Sequence, residues 1–366
     1  GDWSSDVCSS DLLNMIKKMI KLSMVAAVTV AGLTTTATAT PLAEAIKNTE
    51  LNGFVRLRLG QDHEADTSSN QQKAVFKFTS KVNDNVTSVV KAVAIGGSKG
   101  DTLNLNQANF VVKHGNVTTI IGKQTTQSPF AANNGDTVST GVAALVTAGD
   151  FTFAGAYYND LTANNDTSDA TLTAVGAIGN IGSINVEGWY ANEDESDTSI
   201  VAVLASSKVG PVSISGHFAE KDNGTSDEIS NTQLVASLPI GNINATIGYA
   251  TTGKDGGDVT YDGNEDSRLI LSLAEDGTGS GVNTKLADTD AILVGINTKI
   301  SPSTTIGLNY VTADVSNAGD ATETQLTAAV ALSKNFTVSG YYSVADVLVK
   351  NQLCIISIFH CETITF

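Results

Sequence analysis

The sequence predicts an all-β fold, a transmembrane antiparallel β-barrel of about eighteen strands with short periplasmic turns and long outer loops. Three observations predict it: a recurring strand template, a regular alternation of short and long connections, and a secretory leader ahead of a cysteine-free body.

The template is apolar, any, apolar, any, Gly, any, aromatic. It recurs at Phe151-x-Phe153-x-Gly155-x-Tyr157, Ile184-x-Val186-x-Gly188-x-Tyr190, Val212-x-Ile214-x-Gly216-x-Phe218 and Phe336-x-Val338-x-Gly340-x-Tyr342. Ile243 to Tyr249 and Thr304 to Tyr310 keep the same span with the glycine displaced. A spacing of two puts the named residues on one face of a strand. The aromatic closes each strand beside a long polar loop. Tyr157, Tyr190, Phe218, Tyr249, Tyr310 and Tyr342 therefore read as an aromatic girdle at one membrane interface. The starts at 151, 184, 212, 243, 304 and 336 form a hairpin-level quasi-repeat, with one double interval filled by an inserted loop, Thr252 to Thr289. A solenoid also repeats, but it does not alternate short turns with long loops so regularly.

The leader comes first in the chain. Residues 1–14 resemble translated vector or adaptor sequence and are left out of the fold. Residues 15–39 read as a signal peptide. Met15 starts it, Lys17, Lys18 and Lys21 form a basic region, Leu22 to Leu33 is too short to span as a helix, and Ala37-Thr38-Ala39 is a small-residue cleavage site. The mature chain is expected to begin at Thr40. Residues 40–346 form the barrel domain, and no apolar run in it has the length of a membrane-spanning helix. This body lacks cysteine, which suits passage through an oxidising compartment. Residues 347–366 are an atypical tail with Cys354, Cys361 and a nearly continuous apolar run, Leu353 to Phe359. The tail reads as either a last strand or a frameshifted end.

Turn residues mark the short connections: Asn83-Asp84-Asn85, His114-Gly115-Asn116, Ala148-Gly149-Asp150, Gly179 to Ser183, Val209-Gly210-Pro211, Pro239 to Asn242, Ser301-Pro302-Ser303 and Ser333-Lys334-Asn335. The long loops are expected at 60–71, 96–102, 124–140, 159–169, 192–198, 221–230, 252–289 and 314–321. This gives seventeen strands up to Val344 and a candidate eighteenth in the tail, an even number as a bacterial barrel requires.

Alternation assigns the faces. Val55, Leu57 and Leu59 face lipid, which sends Arg56 and Arg58 into the lumen. Ala108, Phe110 and Val112 oppose Gln107, Asn109 and Lys113. Ile184, Val186 and Tyr190 oppose Asn185, Glu187 and Trp189. Ile292, Val294 and Ile296 oppose Asn297 and Lys299. The polar inner face implies a watery lumen rather than a packed core. The strand Val86 to Ile95 is ambiguous, because Lys91 shares a face with Val89, Val93 and Ile95.

Formal net charge is −17, which opposes nucleic-acid binding. Acids cluster in the loops, as at Glu193, Asp194, Glu195 and Asp197, and read as solvated charge rather than calcium ligands. His63, His114, His217 and His360 are too scattered for a metal site, and no cofactor motif occurs. The Gly-rich stretch Gly277 to Gly281 reads as linker. His217 and Ser215 share a strand face, but residues two apart rarely align as a nucleophile–base pair. No enzymatic activity is expected.

The run Thr40-Pro41-Leu42-Ala43-Glu44-Ala45-Ile46-Lys47, leading into Gly53-Phe54-Val55-Arg56-Leu57-Arg58, resembles the mature start of campylobacter-type major outer membrane porins. Gly122-Lys123-Gln124 through Ser128-Pro129-Phe130 is similar to that family's entry into the third loop. The resemblance covers roughly residues 15 to 346, and the final twenty residues depart from it. It implies an eighteen-stranded, trimeric general porin in contact with outer-membrane lipid and lipopolysaccharide. Small hydrophilic solutes and ions would be its cargo.

On this reading Gln124 to Thr140 folds into the lumen as the constriction, with Pro129 and Phe130 as its anchor. Asp136 is its only acid, facing bases among Arg56, Arg58, Lys77 and Lys113. A mild cation preference follows from the total charge. The rival reading is a surface structural protein or adhesin without pore function.

Overall fold

The computed structural model describes residues 49–62, 67–97, 101–126, 128–131, 137–163, 166–168, 170–195, 197–225, 228–261, 267–271, 284–316, 319–347 and 352–362. The leader, the Thr40 start, Asp136 and the Gly277 to Gly281 stretch lie outside them.

The strands are β1 (Thr49–Asp62), β2 (Thr67–Lys81), β3 (Val86–Gly97), β4 (Thr102–His114), β5 (Val117–Thr125), β6 (Val138–Ala148), β7 (Phe151–Ala163), β8 (Asp166–Ser168), β9 (Leu172–Ile181), β10 (Ile184–Glu193), β11 (Thr198–Val209), β12 (Val212–Asp222), β13 (Ile229–Ile240), β14 (Ile243–Thr252), β15 (Thr289–Ser301), β16 (Thr304–Val315), β17 (Gly319–Ser333), β18 (Phe336–Val347) and β19 (Gln352–Glu362). They form one antiparallel sheet of nineteen strands. β8 pairs only with the end of β7, which goes on to pair with β9. Among the described residues, nineteen less this short β8 leaves eighteen spanning strands. The tail strand β19 pairs with β18 on one side and with β1 on the other, from Arg56↔Glu362 to Asp62↔Ile356. Each spanning strand therefore has a partner on both sides, as backbone in lipid requires.

Local chemistry fixes the short turns. Gly115, Gly149, Gly182, Gly210 and Gly241 have φ of 57°, 60°, 64°, 59° and 61°, each first of the two turn residues. Glycine there, with ordinary φ at the second residue, is the type II′ hairpin that matches strand twist. The Pro302-Ser303 and Lys334-Asn335 turns lack glycine, and in both the ladder slips by a residue just before the turn. At 83–85 the Asn83 side chain accepts hydrogen bonds from the N–H groups of Asn85 and Val86, at 2.8 and 2.9 Å.

The other rim differs in detail from the expected loop bounds. Pairing runs from Thr49↔Ser80 to Asp62↔Thr67, so only residues 63–66 join β1 to β2. Residues 159–163 belong to β7 and 166–168 to β8. Polar residues here extend the ladder beyond the apolar band, which hydropathy cannot register.

The outer face is an exposed apolar belt. It includes Val55, Leu57, Leu59, Val203, Leu234, Ile247, Ile292, Val294, Ile296, Leu308 and Leu326. Such a surface on a strand wall is the mark of lipid contact. All six girdle aromatics fall on it by alternation; Phe218, Tyr249, Tyr310 and Tyr342 are exposed, and Tyr157 and Tyr190 are half-buried.

The inner face corrects the expectation of a uniformly polar, watery lumen. Toward the long-loop rim it carries Ala156, Leu172, Ala174, Ala191, Ile200, Ala202, Ala219, Ala250, Ala291 and Val311, all buried. Small apolar side chains there give returning loops a dry surface to pack on. The ambiguous strand β3 is also resolved. Val90 is exposed outward while Val89 and Val93 are buried, so Lys91 lies on the inner face.

Candidate pore constriction

Two connections meet inside the barrel at the long-loop end. The first joins β5 to β6 across residues 126–137, and the second joins β14 to β15 across residues 253–288. Phe130 is fully buried, and its ring meets that of Tyr261 edge-on with centroids 6.1 Å apart. The Tyr261 N–H donates to the Phe130 carbonyl at 3.1 Å, and the Ser267 hydroxyl donates to the Pro129 carbonyl at 2.8 Å. Phe130, Val259 and Leu269 share one apolar cluster with Tyr158, Leu172 and Trp189 of the wall. Burial holds the proton on the Tyr261 phenol, and nearby Glu193 adds to the effect.

The long connection is fastened to the wall by polar groups as well. Asn231 on β13 is fully buried. Its amide donates to the Gly257 carbonyl at 3.1 Å and to the Thr284 carbonyl at 2.9 Å. Its Oδ1 lies 3.3 Å from His217 Nε2. Lys221 donates to the Thr260 carbonyl at 2.7 Å. Arg268 makes a bidentate pair with Glu187 of β10, at 2.8 and 2.9 Å, and Glu187 also accepts from Trp189 Nε1 at 3.0 Å. A planar fork matched to a carboxylate fixes orientation as well as contact.

Of the seven sequence-derived charged or anchoring residues, the six within the described residues fall in different places. Pro129 and Phe130 sit in the contact between the two connections. Arg56 and Arg58 lie on the inner face of β1, across from Lys73 and Gln71. Lys77 stands between Asn52 and Lys91. Lys113 is exposed near the turn end of β4. These bases, with Lys73 and Lys91, make β1–β4 a basic wall. Sequence reasoning did not single out Arg268, Glu187 and Asn231, which fasten the long connection to the wall. One signal was present: Leu269-Ile270-Leu271 is an apolar run inside an acidic loop, and such a run wants burial.

Trp189 lies flat on Gly176 of β9, and a Cβ built on Gly176 would overlap the indole. Gly176→Ala is expected to push the indole off the wall and strain its bond to Glu187. The check is a red shift of Trp189 emission with a weakened folded state; an unmoved spectrum would remove this packing role.

A family model described as Campylobacter major outer membrane protein matches residues 17–347. A search of the curated proteins finds no match. Among solved structures, OccAB4 of Acinetobacter baumannii is similar at 15% identity, over 91% of this chain and 100% of that one, with a TM-score of 0.67. OccD3 (OpdP) of Pseudomonas aeruginosa gives 15%, 89%, 93% and 0.67 in the same order. A BenF-like porin from Pseudomonas fluorescens Pf-5 gives 11%, 87%, 99% and 0.68. At these identities the likeness speaks for the barrel fold.

Proposed function

The chain belongs to the Campylobacter major outer membrane protein family, and from that membership and its geometry we propose a general diffusion porin of a Gram-negative outer membrane. The observation that carries this reading is the two-sided wall. An apolar belt faces outward, while loops packed on the inner face narrow the lumen. Small hydrophilic solutes and ions pass down their gradients, and the narrowest point sets the resistance. Pro129 and Phe130 belong to that narrow zone; Asp136 is assigned to it from the sequence alone, as the acid of the same connection, opposite the basic wall of Arg56, Arg58, Lys77 and Lys113. The protein works as a homotrimer surrounded by lipid and lipopolysaccharide.

The channel mildly prefers cations. Supporting this, Glu193, Asp194, Asp222, Glu228, Asp255, Asp258 and Asp288 lie at the long-loop rim, and the whole chain carries −17. Acids around the mouth raise local cation concentration, and salt screens the effect. The basic wall pulls the other way, but it lines one side only.

The test is purified protein in a planar bilayer. Discrete conductance steps are expected, with a reversal potential on the cation side in a dilute KCl gradient. Silent protein would favour the surface structural or adhesive reading, and anion preference at low salt would refute the sign.

A further inference from the structure

The inner wall recedes where β6, β7 and β9 run side by side. Cross-strand register places Ala143 beside Ala156 and Ala156 beside Ala174. One row away, Ala154 stands beside Gly176, and Gly176 beside Trp189. Short side chains on three neighbouring strands leave a recess, and a cavity of about 500 Å³ occupies it. Leu145 and Ile178 extend its apolar lining, Tyr158 and Trp189 add aromatic surface, and the Arg268–Glu187 pair stands at its margin.

A water-filled pore gains nothing for hydrated ions from such a lining. An apolar hollow of this size, with a few convergent polar groups, has the form of a small-molecule site. The flat walls suit a ring, because planar rings contact Ala, Gly and indole surfaces with little entropy loss. The paired guanidinium and carboxylate offer a donor and an acceptor to one head group at the margin.

We propose that this recess binds single-ring aromatic solutes bearing one hydrogen-bonding head group, so that the channel retains them during passage. The inference rests on the porin reading for its consequence, though the binding itself can be measured apart from conduction.

The chain has two tryptophans, Trp3 and Trp189. In a Trp3→Phe protein, Trp189 alone reports on the recess. Titration with 2-phenylethanol, which does not absorb where indole is excited selectively, is expected to change Trp189 emission saturably. Sorbitol, of similar size without a ring, is expected to leave it unchanged. Ala154→Leu fills the hollow and is expected to weaken the response about tenfold. Ala174→Leu serves as a second filling variant, and heat-modifiable mobility on gels verifies that each barrel is folded. In a bilayer the same alcohol is expected to add current noise in the parent channel and not in the filled variants. A response that does not saturate, or that persists in both folded Leu variants, overturns the site. A saturable titration in a protein that never conducts leaves the site standing and sinks the porin reading instead.

Discussion

Replacing residues 254–286 by a short Gly-Ser link is expected to raise single-channel conductance severalfold while the barrel stays folded. The described part of this connection lies inside the lumen, with Val259 and Leu269 fully buried against the wall. The strands beneath it do not depend on it. β13, β14 and β15 keep their own ladders, from Asn231↔Thr252 to Ile240↔Ile243 and from Ile243↔Thr298 to Thr251↔Asp290. Deletion uncovers small wall side chains such as Ala191, Ala202 and Ala219, whose return to water costs little per residue, together with Leu172, Ile200 and Trp189, whose exposure lowers stability but leaves the strand ladders in place. Asn231→Ala is the milder version. It takes the Asn231 donor from the buried Thr284 carbonyl, at about 1–3 kcal/mol for a buried unsatisfied group, while the Gly257 carbonyl keeps the Val259 N–H, so the loop loosens and the open current becomes larger and noisier. A deleted-loop channel with the parent conductance would place the narrowest point elsewhere.

The parts of this molecule that were legible in the sequence are those set by local chemistry. Gly-x pairs between apolar runs located the hairpins, because only glycine takes φ near 60° there without strain. Period-two alternation located the lipid face, because lipid contact leaves few polar exceptions on that side. Lys91 escaped assignment because Val89 and Val93 share its face, and nothing local shows that a wall also packs inward. The tail strand was hard to read for a related reason. Leu353 to Phe359 is apolar at every position but Ser357, so its pairing with β1 and β18 carries no clear period. The interior was least legible. Arg268 and Glu187 are 81 residues apart, and Ser267 and Pro129 are 138 apart. Such contacts arise from topology, which places loop ends over one lumen, and not from spacing. The inner-face alanines near the long-loop ends of β7, β9, β10, β11, β12, β14, β15 and β16 were the available hint, since a wall facing only water has no use for so many.

Ile296→Arg is expected to destabilise the folded barrel by about 2–4 kcal/mol, the cost of a base near the middle of a lipid-facing strand. Ile296 is 48% exposed and sits within the outward apolar stretch of β15, between Ala245 of β14 and Leu308 of β16. No carboxylate lies directly across from it in either ladder, so the guanidinium has only lipid or a long reach to an interface as its alternatives. Ser215→Arg makes the contrast. Ser215 is exposed on the opposite face of β12, beside the cavity that Gln233 and Arg268 also line, where water can solvate a new charge. It is expected to cost little stability and to move the reversal potential toward anions. Denaturant unfolding followed by heat-modifiable mobility measures the first effect, and the bilayer measures the second. The two substitutions add the same side chain to the same sheet, so any difference in stability isolates the face. Equal costs would mean that the exposed belt does not meet lipid. A larger cost for Ser215→Arg would say so directly.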